Sequence, residues 1–242
     1  MTRRIVLSWS GGKDSALALQ ELRRSADCEI VCLLTTLTRD FERISMHGVH
    51  RELLHRQAAA LGLPLEEVWI DAGATNASYE QAMSTALQKL RLQGATHVAF
   101  GDLFLADIRA YRERLIDSVG MQPLFPLWGR PTAALAREFV EQGFRARICC
   151  LDTRVLDDSF AGAVFDTSFL DRLPEAVDPC GENGEFHSFV SGGPGFESEI
   201  PVQPGVLHRK DSFLFCDLLL MSDSEDCKTP VSGAAVRSAA KG

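Results

Sequence analysis

The sequence predicts a doubly wound parallel α/β sheet followed by a smaller C-terminal α+β domain. Through the first 130 residues, short and nearly all-apolar segments alternate with stretches of helical periodicity. Apolar runs without polar alternation describe strands buried on both faces, the condition of a parallel sheet between layers of helices. The first run also leads straight into a Gly-Gly turn, and the strand–helix rhythm changes after residue 130.

In chain order, residues 5–9 read as a strand, the glycine turn follows, and a helix spans 14–24. A second apolar strand covers 30–37. Residues 49–61 have helical spacing and stop at Gly62 with Pro64 just beyond, an ordinary helix end. A short strand at 68–70, a helix at 78–93 ended by Gly94, a strand at 96–100 and a helix at 107–119 complete a first domain, 1–130. A helix at 132–142, a strand at 146–151, a Gly- and Pro-rich segment at 178–196 and a last apolar strand at 213–221 make a second domain, 131–221. The segment 222–242, rich in Ser, Ala, Gly and Lys, lacks apolar periodicity and is expected to be a disordered tail. Right-handed crossovers put the loops that follow the parallel strands on one edge, where ligands bind.

The chain has 242 residues, 45% hydrophobic and 24% charged, ordinary globular values. A net charge of −8 argues against nucleic acid as a partner, because sequence-independent binding relies on a basic footprint. No apolar run reaches the roughly 20 residues that span a bilayer, and no secretory pattern opens the chain, so the expected location is the cytoplasm. Seven cysteines without a CxxC pair read as reduced, small apolar residues.

The chemistry concentrates in Ser10-Gly11-Gly12-Lys13-Asp14-Ser15, between the first strand and the first helix. The first amides of a helix lack intrahelical partners and its dipole favours anions, so such a turn is a phosphate site. Gly11 and Gly12 let the backbone approach phosphate oxygens, Lys13 adds a positive charge, and Ser10 and Ser15 offer hydroxyls. Asp14 would be repelled by polyphosphate unless magnesium lies between them. The loop lacks the Walker A spacing, since Leu7 stands where the first glycine belongs and Asp14 follows the lysine.

This hexapeptide resembles the pyrophosphatase loop of the N-type ATP pyrophosphatases, which implies cleavage of ATP to AMP and pyrophosphate. Further blocks are similar to the diphthine–ammonia ligase family: Met46-His47-Gly48-Val49, the run from Gln57-Ala58 to Gly62-Leu63-Pro64, and Gly101-Asp102. So are Arg109 with Glu113, Pro126-Leu127-Trp128, and the core Gly181-Glu182-Asn183-Gly184-Glu185. The resemblance runs from residue 5 to about 196. It implies an adenine nucleotide alpha-hydrolase-like, Rossmann-type fold, adenine received by backbone at Leu34 and Thr35, and adenylation of a carboxylate followed by attack of ammonia. Asn183 departs from the Glu-Gly-Gly run of members acting on diphthine. Five of the 25 basic residues are Lys, which points to a GC-rich genome. The family resembled has many bacterial members, for which an acceptor other than diphthine is expected because bacteria lack the diphthamide pathway.

The expected catalytic set is Lys13, Asp14 and Asp102, with magnesium held by Asp14 and Asp102, the latter at the end of a parallel strand. His47, Arg109, Glu182 and Glu185 are the expected substrate residues, the two glutamates for ammonium or an amine-bearing partner. Arg112 is a weaker phosphate or carboxylate candidate, whereas His187 and Trp128 read as structural. The expected partners are ATP, ammonium and a carboxylate acceptor, a small molecule or a protein side chain, and a homodimer is the commonest assembly for such enzymes. Two rival readings stay open at this point: a tRNA-modifying ATP pyrophosphatase and a nucleotide sensor that does not turn over.

Overall fold

The structure is a computed structural model and describes residues 2–45 and 47–221. The segment 222–242, expected as a tail, lies outside the described residues.

Strand β1 (Arg3–Ser8) leads into helix α1 (Lys13–Arg23), followed by β2 (Cys28–Thr38), the two-residue β3 (Arg43–Ile44), α2 (Arg51–Ala60) and β4 (Leu65–Ile70). Next come α3 (Asn76–Leu92), β5 (His97–Ala99), α4 (Ala106–Ser118) and β6 (Gln122–Leu124). The parallel strands lie in the order β4-β2-β1-β5-β6, and β3 adds to β2 in antiparallel sense. The doubly wound sheet is therefore present. The chain moves from β1 outward to β2 and β4, then returns to the other side of β1 with β5. The switch point between β1 and β5 is where such sheets open a crevice for ligands.

Alternation along β1 explains why it is apolar throughout. Ile5 and Leu7 join one buried cluster with Leu17 and Leu19 of α1, while Val6 joins the opposite cluster with Leu34, Val98 and Met83 and Leu87 of α3. Successive side chains of a strand point to opposite faces, so both faces of β1 are covered.

Helix α5 (Thr132–Glu141) precedes a second sheet, built from β7 (Arg145–Asp152), β8 (Phe186–Gly192), β9 (Val202–Lys210) and β10 (Phe213–Leu220), with the short α6 (Thr167–Arg172) between β7 and β8. Its order is β8-β7-β10-β9, antiparallel throughout. The first apolar cluster continues into this half through Phe139 of α5 and Phe186 and Phe189 of β8. One core thus links both sheets.

Some elements depart from the expected bounds. Strand β4 begins at Leu65 rather than 68, because Leu65 and Glu66 pair with Leu33 and Leu34. Strands β3, β6 and β9 and helix α6 were not expected. Strand β6 has three residues with Pro123 in the middle, tolerated because it is an edge. Strand β9 is an edge strand too, and it is exposed along most of its length.

Candidate active site

The loop after β1 turns at Gly11, whose φ of +78° is a left-handed conformation that favours glycine. Helix α1 then starts on Gly12, which provides no side-chain cap. The Lys13 N–H instead donates to Ser188 Oγ on β8, at 3.1 Å. Ser15 Oγ donates back to the Gly12 carbonyl at 2.9 Å and lies 3.3 Å from Ser10 Oγ, so the two hydroxyls of the loop share one edge. At the neighbouring strand end, a Cβ on Gly101 would lie 2.9 Å from the Asp14 carbonyl carbon. Only glycine lets the ends of β5 and α1 approach so closely.

A cavity of about 210 Å³ opens over this loop. Ser10, Gly12, Lys13, Asp14 and Ser15 line it from the first sheet, with His47, Asp102 and Arg112; Glu182, His187 and Ser188 line it from the C-terminal half. The Lys13 ammonium lies 3.0 Å from Asp14 Oδ2, donates to the Cys180 carbonyl and sits 5.2 Å from the centre of the Phe186 ring. Burial opposes its charge, yet Asp14, with smaller contributions from Cys180 and Glu182, more than offsets that and raises its pKa. Burial pushes the Asp14 carboxyl up against the pull of Lys13.

Asp102 and Arg112 form an ion pair at 2.7 Å, and the guanidinium covers the Phe100 ring at 4.4 Å. Burial raises the Asp102 carboxyl, Arg112 opposes the rise, and Asp14 adds to it. Glu182 accepts the Leu103 N–H at 2.8 Å. Burial, reinforced by Asp14 and Asp102, pushes its carboxyl up to about 7. His47 and His187 pack ring to ring at 4.4 Å. Burial comes first in lowering both imidazoles, then the partner ring and Lys13 for His47, and Lys13 for His187, which falls to about 4.

The structure thus brings together Ser10, Gly12, Lys13, Asp14, Ser15, His47, Asp102 and Glu182. It also brings in Arg112, a weaker candidate from the sequence, and His187, which reads there as structural. Other expected residues stand apart. Leu34 and Thr35 do not line the cavity: the Leu34 carbonyl accepts the Trp9 N–H at 2.8 Å and the Thr35 hydroxyl donates to the Trp9 carbonyl at 2.7 Å. Arg109 lies outside the lining, paired with Glu113 at 2.8 Å and set over the rings of Phe125 and Trp128 at 4.8 and 4.6 Å. Glu185 is buried in its own turn, where Oε1 accepts the Asp178 N–H and the Asn183 amide, each at 3.0 Å. Of the two glutamates, Glu182 therefore lines the cavity and Glu185 does not.

Sequence reasoning missed Ser188 and Gln57. Ser188 reaches the loop only through the pairing of distant segments. Gln57 carried a signal: it is a polar side chain on the buried stripe Leu53, Leu54, Gln57, Ala58 of α2, where an amide must find partners.

A Gly-Gly loop and a helix start without an N-cap side chain lie at the switch point of a parallel sheet, facing a lysine-bearing cavity, the place where α/β folds receive anionic ligands. Family models described as the diphthamide synthase N-terminal domain and C-terminal domain match residues 2–123 and 131–217, and the chain belongs to the diphthamide synthase family. It is 26% identical over 237 residues to a protein named diphthine–ammonia ligase from Danio rerio, covering 87% of this chain and 91% of that one. It is 32% identical over 117 residues to the Homo sapiens protein of the same name, covering 45% and 44%. The chain is accordingly a ligase-type enzyme, of a family that uses ATP. No helix among the described residues is long and apolar enough to cross a membrane.

Proposed function

We propose that this chain is an ATP-dependent amide-forming ligase. A substrate carboxylate attacks the α-phosphate of ATP and pyrophosphate departs; ammonia then attacks the acyl carbon of the adenylate, AMP leaves, and a proton is released. The observation that carries this reading is the convergence of Lys13, the open helix start, Asp14, Asp102 and Arg112 on one cavity.

Lys13 and the loop amides hold the β and γ phosphates and stabilise the departing charge. Arg112, anchored by Asp102, offers a second cation on the opposite wall. The donor set also fits magnesium: Asp14 Oδ1 is buried without a hydrogen-bond partner, Asp102 is a second carboxylate of the same cavity although its Oδ2 is paired with Arg112, and oxygen ligands suit a hard cation. When bound, magnesium supplies charge neutralisation at the β and γ phosphates. The relatives' names specify diphthine and ammonia. Ammonia carries over to this reading, and a carboxylate is the class of acceptor; no protein nucleophile is needed, because positioning and charge neutralisation suffice.

The test is product analysis with ammonium as the nitrogen source. AMP and pyrophosphate are the expected products, whereas ADP and phosphate would overturn the reading. Lys13→Ala should lower turnover by about two orders of magnitude, the scale of losing one charge-stabilising group.

A further inference from the structure

Gln57 lies on α2 and does not line the cavity, yet its side chain is 0% exposed and all its polar capacity is directed at the loop and its support. Its Oε1 accepts the Trp9 indole N–H at 2.9 Å, at the point where β1 becomes the loop. Its Nε2 donates to the Gly11 carbonyl at 2.9 Å and to the Val190 carbonyl on β8 at 2.7 Å. A neutral amide is the side chain that can serve two carbonyls and one N–H donor at once. A carboxylate would face both carbonyls with no donor, and an apolar chain would leave the indole N–H and a carbonyl without partners.

The Gly11 carbonyl is held twice, because the Val190 N–H also donates to it, at 2.8 Å. This fixes the plane of the Gly11–Gly12 peptide. In a trans peptide the carbonyl and the following N–H point in opposite directions. With its oxygen turned toward Gln57 and β8, the peptide turns the Gly12 N–H the other way, toward Ser10 Oγ at 3.3 Å, and both Ser10 and Gly12 line the cavity. Space enforces the arrangement, since a Cβ on Gly11 would lie 2.8 Å from Gln57 Oε1.

We infer that Gln57 is a positioning residue that locks the Gly11–Gly12 peptide with its N–H presented to the polyphosphate. The inference rests on the reading of the loop as the phosphate site. A rotated peptide would present a carbonyl oxygen to the phosphates, so the lock converts repulsion into attraction. It acts where pyrophosphate sits and has no reason to affect a ligand lacking the β and γ phosphates.

The experiment uses the full chain and measures binding of inorganic pyrophosphate and of AMP, with KM for ATP and kcat, in Gln57→Met and Gln57→Glu. Pyrophosphate affinity should fall by about tenfold or more, as for one lost donor to a charged group, while AMP affinity stays within about twofold. KM for ATP should rise, and Gln57→Glu should be the worse variant. If neither variant folds, Trp9→Phe removes only the indole anchor and should give a smaller loss with the same selectivity. Equal weakening of pyrophosphate and AMP would overturn the inference, because it would reduce Gln57 to a general support of the core. Unchanged pyrophosphate binding in a Gln57 variant, alongside its loss in Lys13→Ala, would overturn the inference and leave the proposed function standing. Pyrophosphate binding that survives Lys13→Ala would overturn both.

Discussion

Glu182 shares its cavity with Asp14 and Asp102, and its burial there, reinforced by that company, raises its pKa. Burial removes water from the carboxylate and the two aspartates add like charge, so it binds a proton up to about 7. The consequence for stability has a definite sign. In the unfolded chain the carboxyl ionises in the ordinary range, so between that range and about 7 the folded protein holds a proton that the unfolded chain has lost. The contribution of the group is fully present below the unfolded pKa and is lost as pH rises through the folded one. Glu182→Gln removes this dependence. In ligand-free protein the variant should match the parent near about pH 4 and gain on it as pH rises, reaching about 1–2 kcal/mol near pH 7 and level beyond. Thermal melting across that range checks it; a gap of constant size would show that the cavity does not raise this carboxyl. The role of Glu182 was half legible in the sequence. Two glutamates in a glycine-rich turn marked a site, but which one faces the cavity depends on the Leu103 N–H, which is 79 residues away. Lys13 and Asp14 were legible for the opposite reason: their site is one contiguous hexapeptide whose geometry is local.

Helix α4 shows how an element divides labour between two similar side chains. Arg109 and Arg112 are three positions apart, which puts them on neighbouring parts of one face. The next turn carries Arg112 onto Asp102 and the cavity, whereas Arg109 lies against Phe125 and Trp128 with Glu113 as its partner. Arg112→Ala should therefore lower turnover by about tenfold or more, the effect expected of a charge at the phosphate edge. Arg109→Ala should leave turnover within about threefold and cost about 1 kcal/mol of stability, the scale of an exposed cation–π contact. Steady-state rates and melting midpoints on both variants test the division, and the reverse ranking would defeat it. The same contrast of local and non-local information explains which elements could be read. Strands β1 and β2 are written in apolar residues because both faces are covered. Strands β3 and β6 have two and three residues, too few for a pattern, and β9 is an exposed edge whose ladder partner β10 supplies the burial.

At the scale of the whole molecule, the sequence suggests a division into 1–130 and 131–221, and one apolar cluster draws residues from both halves. Ile5 and Leu7 of β1, Phe139 of α5 and Phe189 of β8 belong to one apolar cluster. Gln57 adds a polar tie between the loop and β8. Apolar surface that each half buries against the other would be exposed if either unfolded alone, at roughly 25 cal/mol per Å². The two halves should therefore melt as one cooperative unit. The chain contains its own reporter, because all three tryptophans, Trp9, Trp69 and Trp128, lie in residues 1–130. Phe169 of α6 provides the perturbation. It is 0% exposed, and its aromatic neighbours Phe160, Phe165 and Phe186 all belong to the C-terminal half. Phe169→Ala should cost about 3–5 kcal/mol through lost contacts and a residual cavity. If the halves are one unit, denaturant unfolding followed by tryptophan fluorescence should shift by that full amount, although no tryptophan lies near the substitution in sequence. A fluorescence midpoint that stays in place while far-ultraviolet circular dichroism splits into two steps would show independent halves, and the cavity between them would then be a joint that can open.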